Sequence, residues 1–280
     1  MSRLLLHLFP LCVLPCVVHA QAKKPKDVPI VGKEAGEVRE FEIAKGVNVK
    51  FCWIPSGSAQ LGATKEEQEY LTKTYYKGQR QIWQDRESEP VRGKFTSKGY
   101  WLGKYEVTQS EWKALMPNNP STFKGDRLPV NNVTLNDCQA FLKKCTLKGL
   151  RLPHEDEWEY ACRGGLGNKT AFYWGDAHNG EKANSYGSIY PYGTSVQGKW
   201  LRTTAEVGSY EEKAKHPWGL CDMHGNVEEW CDNRYLNTGD RMLRGGGWSS
   251  RCMYSRSAHR FPRETTARDE TFGFRLCFAN

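Results

Sequence analysis

The chain has 280 residues and a formal net charge of +8, from 40 Lys and Arg against 32 Asp and Glu. This length predicts a single domain of moderate size that can bury a substantial core. Both signs of charge are mixed along the chain, so a solvated basic surface explains the excess better than attraction to acidic polymers or membranes. Because no motif of a nucleic-acid-binding module accompanies the charge, we do not expect nucleic acid as a partner.

Residues 1–20 have the features of a secretory signal peptide. Arg3 supplies the positive start, an apolar run follows over residues 4–18, and Ala20 is a small residue suited to cleavage. The run is too short for a transmembrane helix, and no later segment is long and apolar enough to be one. Cys16 is an alternative site of lipid attachment, although its sequence context is poor. We therefore expect an exported protein, either periplasmic or extracellular.

Residues 21–47 carry Lys, Glu, Gly and Pro with little apolar content. This composition indicates an exposed leader or linker, with a possible first strand at its end. The remaining residues, 48–280, are predicted to form the single folded domain.

The first part of this domain carries clear helix and strand signals. Strands are predicted over Phe51–Pro55 and Gly99–Val107. A helix over 64–84, opened by Thr64 as N-cap, has the appearance of an insertion beside the core. Three further helices are predicted over 109–116, 135–145 and 155–163; Thr108 and Thr134 cap the first two, and Gly164-Gly165 ends the third.

After residue 165 regular patterns fade, and no internal repeat is evident. Glycine, asparagine, aromatic residues and short apolar triplets dominate the rest of the chain. We therefore predict an α+β domain that is rich in loops and ordered by aromatic packing. Ten tryptophans fit this architecture, because each ring can bury roughly 200 Å². Stacking of an exposed tryptophan on a sugar is the alternative use.

Cysteine usage suggests disulfide bonds. Ten cysteines are present, and removal of Cys12 and Cys16 with the signal peptide leaves an even number in an exported protein. One pairing is excluded, because a helix carrying Cys138 and Cys145 separates them by about 10 Å of rise, beyond disulfide reach. The spacing of Cys and His residues does not suggest a zinc site.

Acidic side chains surround a Gly-Asn turn in the second half of the chain. Asp222 and Glu229 bracket Gly225-Asn226. Calcium prefers six to eight oxygen ligands at about 2.3–2.6 Å, and a tight loop offers carbonyl oxygens beside the carboxylates. The pattern therefore favours a calcium site, the alternative being a buried turn in which Glu229 accepts internal hydrogen bonds.

Two glycine-containing blocks follow this turn, Gly245-Gly246-Gly247-Trp248 and Gly273-Phe274-Arg275. Together with the acidic turn and several upstream blocks, they resemble the formylglycine-generating enzyme (sulfatase-modifying factor) family. The upstream blocks are Trp53-Ile54-Pro55-Ser56-Gly57, Tyr105-Glu106-Val107-Thr108, Leu128-Pro129-Val130-Asn131-Asn132 and Leu150-Arg151-Leu152-Pro153-His154-Glu155-Asp156-Glu157-Trp158. The resemblance runs from about residue 48 to the last residue and implies a variant of the C-type-lectin fold.

The resemblance also implies metal ligands. Calcium would be held by the side chains of Asp222 and Glu229 and by the carbonyls of Gly225 and Val227. Asn184 and Ser185 match the first half of a second calcium site. The Asp that completes that second site has no counterpart in residues 190–200, so we expect the second site to be weaker or incomplete.

The copper centre of the resembling enzymes has no counterpart in this chain. Two cysteines hold Cu(I) in those enzymes, and their positions fall here on Ser250 and Ser255. Hydroxyls are hard donors and do not replace thiolates at Cu(I). Cys252 stands at the wrong offset, and its use together with Cys277 would require a rearranged loop. We therefore expect no copper and leave the catalytic residues unassigned.

The histidines do not suggest another catalytic centre. His154, His224 and His259 are scattered and lack the clustering that iron-dependent relatives need, so we expect them to act as hydrogen-bonding residues. Two functions remain open. The first is an exported binding or accessory module with a protein, peptide or glycan ligand, which includes the variant that residues 249–272 form a diversified binding loop. The alternative is an oxidoreductase that converts a sulfatase cysteine to formylglycine.

Overall fold

A computed structural model describes residues 30–77 and 94–279 of the chain. The predicted signal peptide, Cys16, the first part of the leader and residues 78–84 of the helix predicted over 64–84 lie outside these ranges. Within them this helix ends at Thr74, earlier than predicted. In chain order the elements are β1 (Val38–Ala44), β2 (Val47–Gln60), α1 (Lys65–Thr74), β3 (Lys94–Gly103), α2 (Gln109–Leu115), α3 (Leu135–Lys144), α4 (Glu155–Cys162), β4 (Glu228–Arg234), β5 (Arg241–Arg244), a 3₁₀ helix (Cys252–Ser255), β6 (Phe261–Arg263), β7 (Phe272–Gly273) and β8 (Cys277–Phe278).

The strands form two four-stranded sheets. The first has the order β1-β2-β3-β8 and is antiparallel throughout. The second has the order β6-β5-β4-β7, in which β4 and β7 run parallel. This mixture of short helices, two small sheets and long loops confirms the predicted α+β class. The strand suggested at the end of the leader is β1, so the first sheet begins before residue 48.

The predicted N-caps are confirmed. The side chains of Thr64, Thr108 and Thr134 each accept a hydrogen bond from the backbone N–H three residues later. At α2 and α3 the acidic side chain at that third position accepts a hydrogen bond from the backbone N–H of the capping threonine. The two reciprocal bonds form a capping box and satisfy two N–H groups that would otherwise lack a partner. At the other end of α4, Gly164 and Gly165 both have positive φ and end the helix as predicted.

Two apolar clusters fill the space around the sheets. Phe51, Trp101 and Phe274 belong to the first, and Trp158 and Met242 to the second. Trp101, Trp158 and Trp230 are fully buried, which confirms that tryptophan packing supplies much of the core. Across residues 30–77 and 94–279, no helix has both the length and the hydropathy to cross a bilayer.

The structure contains none of the expected disulfides. All eight cysteines from Cys52 onward are free thiols, and seven of them are buried. Cys52 and Cys277 both pair with Leu102, one from the strand on each side of β3. They are therefore separated by two strand spacings, each of about 4.8 Å. Burial stabilises the neutral thiol and raises the pKa of Cys52 and Cys162 to about 12. In this structure the cysteines act as small apolar core residues.

Candidate functional site

The predicted calcium loop lies immediately before β4 and is held rigidly by Asn226. Asp222 and Asn226 both adopt positive φ, a conformation that asparagine and aspartate tolerate better than most residues. The Asn226 side-chain oxygen accepts N–H bonds from Ala205 and Asn184, at 2.8 and 3.1 Å. The Gly225 N–H donates to the Gly245 carbonyl at 2.8 Å. The loop geometry is therefore fixed by surrounding chain segments.

Glu229 is committed to protein partners. It is fully buried in β4, where Arg275 forms a bidentate ion pair with it, both N–O distances being 2.6 Å. The indole N–H of Trp158 donates to the same carboxylate at 2.7 Å. Three of the roughly four acceptor positions of the carboxylate are therefore in use. This arrangement matches the internal hydrogen-bonding role that the sequence left open for Glu229.

Two more carboxylates lie near this ion pair. Asp222 accepts the Gly208 N–H at 2.6 Å, and burial raises the pKa of its carboxyl to about 6. Glu106, which follows β3, is 1% exposed. One oxygen of Glu106 accepts from the Asn226 amide at 3.3 Å, and the other has no hydrogen-bond partner. Burial, and then the charge of Asp222, hold the pKa of Glu106 well above its usual value.

The residues of the predicted second calcium site lie beside the first loop. The Asn184 carbonyl accepts the Asn226 N–H at 2.8 Å, so the two predicted sites are in contact. The side-chain oxygen of Asn184 is buried without a partner. Ser185 is fully buried and its hydroxyl bonds to the hydroxyl of Ser255 at 3.0 Å. Ser185 therefore links the predicted calcium region to one of the copper positions.

The calcium ligand set fits the structure in part. Asp222, Gly225 and Val227 lie on one buried loop next to the partnerless oxygen of Glu106, which is a suitable environment for a hard cation. Glu229 fits less well, because Arg275 and Trp158 already use three of its roughly four acceptor positions. Within residues 30–77 and 94–279, no group of three or more His, Cys, Asp or Glu side chains is arranged to hold a metal. Backbone carbonyls would have to supply the remaining ligands.

Both copper positions carry hydroxyls that are bonded within the protein. The Ser250 hydroxyl accepts the Gly247 N–H at 3.0 Å and donates to Glu228 at 3.1 Å. Burial raises the pKa of Glu228 to about 7, and its second oxygen is buried without a partner. Ser255 is fully buried and bonded to Ser185. Neither hydroxyl has a thiol beside it in these contacts.

The nearby cysteines do not rebuild a two-thiol centre. Cys252 is buried in the 3₁₀ helix within a small third cluster, whereas Cys277 lies in β8 within the second apolar cluster. Burial raises the pKa of the Cys252 thiol to about 12 and that of Cys277 further. Because the two thiols lie in different clusters, they do not form a pair of ligands for one Cu(I). The nearest polar partners of Cys162 are His224 and Ser257, with Sγ distances of 3.5 and 3.6 Å.

The triple glycine places a turn and does not form a phosphate cradle. Gly245 and Gly246 both have positive φ, and the segment leads from β5 to Trp248 without opening an α-helix. A Cβ on Gly246 would lie 2.6 Å from the Ser255 hydroxyl and 3.0 Å from the Tyr254 carbonyl. Glycine is therefore needed both for the backbone conformation and for the close approach of the 3₁₀ helix.

We expect Gly246→Val to lower the free energy of unfolding by about 2–3 kcal/mol, through backbone strain and displacement of Ser255. Urea unfolding followed by far-UV circular dichroism measures this change. Gly239→Val is the matched control, because Gly239 is exposed and a Cβ there meets nothing within 4 Å. Equal stability of the two variants would contradict the structural role of Gly246.

The histidines hold structural positions. His154 caps α4, His224 bonds to the Ser255 carbonyl, and His259 packs against Tyr254. His178 is buried against Phe172 and Trp174. Burial, with a smaller contribution from the Lys182 charge, lowers the pKa of His178 from 6.5 to about 3. His178 therefore stays neutral in the folded protein over a pH range in which the unfolded chain takes up its proton.

This difference predicts a loss of stability in acid. The contribution of neutral His178 is fully present above pH 6.5 and declines as the pH falls from there towards 3. Relative to His178→Phe, the wild type should lose about 1.4 kcal/mol of unfolding free energy per pH unit in this window. Urea unfolding at pH 7.5, 6 and 5 measures the two slopes. His154→Asn, which keeps an N-capping side chain, should follow the wild type, and parallel slopes for His178→Phe would refute the expectation.

An aromatic row lies beside Ser250. It consists of Tyr190, Tyr186, Trp200 and Trp248, which contact one another in that order; Tyr186 and Trp200 stack with centroids 3.8 Å apart. The guanidinium groups of Arg202 and Arg251 lie over Trp200 and Tyr190. Neighbouring apolar side chains are unusually exposed, with Ile189 at 55% and Val196 at 62%. This combination is typical of a contact surface.

The middle of the segment proposed as a diversified loop is internal. Apart from half-buried Tyr254, residues 252–260 are buried, and two of their arginines form buried ion pairs, Arg256 with Glu67 and Arg260 with Glu155. Residues 249–251, and all of residues 261–270 except Pro262, are exposed or half-buried. Variation of side chains over the whole of 249–272 would therefore disturb the core.

Sequence reasoning missed the roles of Glu106 and Arg275. Both lie in blocks that were recognised, Tyr105-Glu106-Val107-Thr108 and Gly273-Phe274-Arg275. A charged residue inside each apolar block was the available signal, because a buried charge needs a partner. The identity of that partner depends on strand pairing, which brings β4 and β7 side by side.

Comparison with known proteins agrees with this geometry. The profile of the family described as "Sulfatase-modifying factor enzyme 1-like domain" matches residues 39–279. The bovine "Inactive C-alpha-formylglycine-generating enzyme 2" is 30% identical over 190 residues, covering 65% of this chain and 59% of the bovine protein. The "Chaperone protein LppX" of Paenibacillus barcinonensis is 31% identical over 202 residues, covering 55% of this chain and 71% of that protein.

A solved structure shows the same fold. PvdO from Pseudomonas aeruginosa superposes with a TM-score of 0.67 at 22% identity, covering 89% of this chain and all of that one. At this identity the likeness concerns the fold alone. The family profile covers most of the chain, and all the sequence blocks that resemble the family fall within the matched residues 39–279. The chain therefore belongs to the sulfatase-modifying factor (formylglycine-generating enzyme) family.

Proposed function

We propose that this protein is an exported binding or accessory module of the sulfatase-modifying factor family, without the copper centre of the formylglycine generators. The observation that carries the proposal is the state of the copper positions. Ser250 and Ser255 present hydroxyls bonded to Glu228 and Ser185, and the nearby Cys252 thiol is buried. Cu(I) selects soft thiolate ligands and gains little from such hydroxyls.

The similarity to a protein named inactive and to one named a chaperone supports this function class. The matched region spans only 59% of the bovine protein, so the activity and partners of the whole relative are no more than a guide. The alternative function is formylglycine generation in exported sulfatases, which rests on family membership.

We assign the binding role to the aromatic row beside Ser250, with a protein, peptide or glycan as ligand. Rings and guanidinium groups combine apolar area with fixed hydrogen-bond donors, as in many recognition surfaces. Arrays of glycans and of peptides from exported proteins are suitable probes. Retention of a probe should be lost in Trp200→Ala and kept in Leu236→Ala, which removes a distant exposed leucine. Retention that survives Trp200→Ala would show that this surface is not the binding site.

We further propose that calcium stabilises the fold at the loop carrying Asp222, Gly225 and Val227. The support is the buried position of Asp222 and the partnerless carboxylate oxygen of Glu106 near it. Binding to the folded state alone would raise the free energy of unfolding as calcium is added. In this proposal the ion has a structural role.

Direct assay of the oxidation distinguishes the two functions. A peptide with a Cys-x-Pro-x-Arg core is incubated with copper-treated protein, oxygen and a thiol reductant, and its mass is followed. We expect the thiol to persist without conversion to the aldehyde. Conversion over several turnovers would establish the alternative function, and Cys252→Ala would then show whether that thiol takes part.

A further inference from the structure

We infer that the aromatic row and its two guanidinium groups form a docking surface for an acidic peptide segment of a partner protein, one that also carries apolar residues. This ligand class rests on the binding role proposed above and makes it more specific. Its charge is opposite to that of the arginine in the Cys-x-Pro-x-Arg peptide, on which the alternative function would act.

The segment that carries most of the row has only positive charges. Residues 182–205 contain Lys182, Lys199 and Arg202 and no Asp or Glu. Arg251, which lies over Tyr190, adds a further positive charge from another part of the chain. All four basic residues are exposed. A surface of one sign attracts a partner of the opposite sign and disfavours partners of its own sign.

The two guanidinium groups are held in place but have no partner for their N–H groups. Arg202 lies 4.7 Å from the ring centroid of Trp200, and Arg251 lies 4.3 Å from that of Tyr190. Within residues 30–77 and 94–279, neither side chain forms a hydrogen bond or an ion pair. Stacking covers the flat face of a guanidinium and leaves the N–H donors in its plane available. Each group is therefore positioned to bind a carboxylate through two parallel hydrogen bonds.

The backbone at Arg202 supports a binding role. Its φ is 62°, in the left-handed region that residues other than glycine, asparagine and aspartate adopt infrequently. The next residue is anchored, because the Thr203 carbonyl accepts the side-chain amide of Asn184 at 2.9 Å. Strained backbone conformations concentrate at binding sites, where they fix the direction of a side chain. Here the strained residue is exposed and carries its guanidinium over Trp200.

The rest of the surface favours a peptide over a glycan. A sugar stacks on a free ring face, but Tyr186 and Arg202 both lie over Trp200. Arg251 likewise covers Tyr190. Three aliphatic side chains of the same segment are 43–62% exposed, namely Ile189, Val196 and Leu201. Exposed aliphatic groups gain free energy by packing against apolar side chains, which a peptide supplies.

Fluorescence anisotropy with three labelled peptides of equal length tests this ligand class. The peptides share leucines at fixed positions and carry Glu, Gln or Lys at all the others. We expect the wild type to bind the Glu peptide at least about tenfold more tightly than the Gln peptide, through charge-assisted hydrogen bonds that weaken in high salt. The Lys peptide should bind more weakly than either.

The double variant Arg202→Gln, Arg251→Gln should lose at least about tenfold in affinity for the Glu peptide, because both carboxylate-binding groups are removed. Each single variant should lose part of this affinity. Arg127→Gln is the matched control, since it removes the same charge from a surface ion pair with Glu206, and it should bind like the wild type. Far-UV circular dichroism and the unfolding midpoint show that the variants remain folded.

Equal affinity of the wild type for the Glu and Gln peptides would overturn the acidic ligand, as would a double variant with unchanged affinity. Heparin that bound more tightly than the Glu peptide, and was released by the double variant, would replace the peptide by an acidic glycan. Array retention that needs Trp200 but does not depend on peptide charge would leave the proposed binding function standing and remove only this ligand class. Absence of any retention that depends on Trp200 would refute both.

Discussion

Replacing Arg275 by Met is expected to lower the free energy of unfolding by about 3–5 kcal/mol, because it leaves Glu229 buried and unpaired. Arg275 is itself fully buried and its guanidinium also donates to the carbonyls of Gly103 and Cys221. One side chain thus joins the ends of β3 and β4 to the loop before β4. Its loss would remove a charge and several hydrogen bonds at once.

Urea unfolding in EGTA is the appropriate measurement, since calcium is then unable to compensate the unpaired, buried charge of Glu229. Arg127→Met is the matched control, because Arg127 pairs with Glu206 on the surface, where both side chains are more than 60% exposed. Surface pairs contribute little, so the control should differ only slightly from the wild type. A loss at Arg275 no larger than at Arg127 would show that the buried ion pair does not stabilise this fold.

The second large effect concerns copper. The double variant Ser250→Cys, Ser255→Cys restores two thiols at the family's ligand positions, on the loop between the triple glycine and Arg256. We expect it to bind one Cu(I) per chain with an affinity several orders of magnitude above that of the wild type, because paired thiolates match the softness of Cu(I). Competition with a chromophoric Cu(I) chelator measures this gain.

Two single variants and one thiol deletion control the experiment. Ser250→Cys and Ser255→Cys alone should each gain little, since one thiolate makes a weak site. Cys252→Ala in the double variant should leave the affinity unchanged, because the Cys252 side chain packs in the third apolar cluster with Leu71 and Phe172. Tight Cu(I) binding by the wild type, lost in Cys252→Ala, would instead show that Cys252 supplies a copper site and would contradict the proposed function.

Local signals in the sequence were sufficient to predict the helices and their caps. Thr108 and Thr134 precede acidic residues at the right spacing, and the capping boxes form as this pattern predicts. The paired glycines after α4 end it for the same local reason, since positive φ is available to glycine. The strand before residue 48 was harder to place, because its polar alternation resembles that of an exposed leader.

Disulfides were predicted from the even number of cysteines and from the expected export. Neither of these says how far apart two cysteines lie in the folded chain. In the structure Cys52 and Cys277 lie two strands apart, and Cys252 lies in another cluster. Bond formation depends on Cα separation and side-chain direction, which are set by sheet order. Sheet order is a long-range property that spacing along the chain does not encode.

By itself the sequence determined the family, the α+β class and the absence of cysteine at both copper positions, because each depends on residue identity at ordered positions. Only the tertiary structure decided the partners of the buried charges. Glu229 pairs with Arg275 because β4 and β7 run side by side, and this pairing leaves Glu106 with a free oxygen beside Asp222. The electrostatic state of a carboxylate depends on which distant segments are packed against it, and that information exists only once the chain has folded.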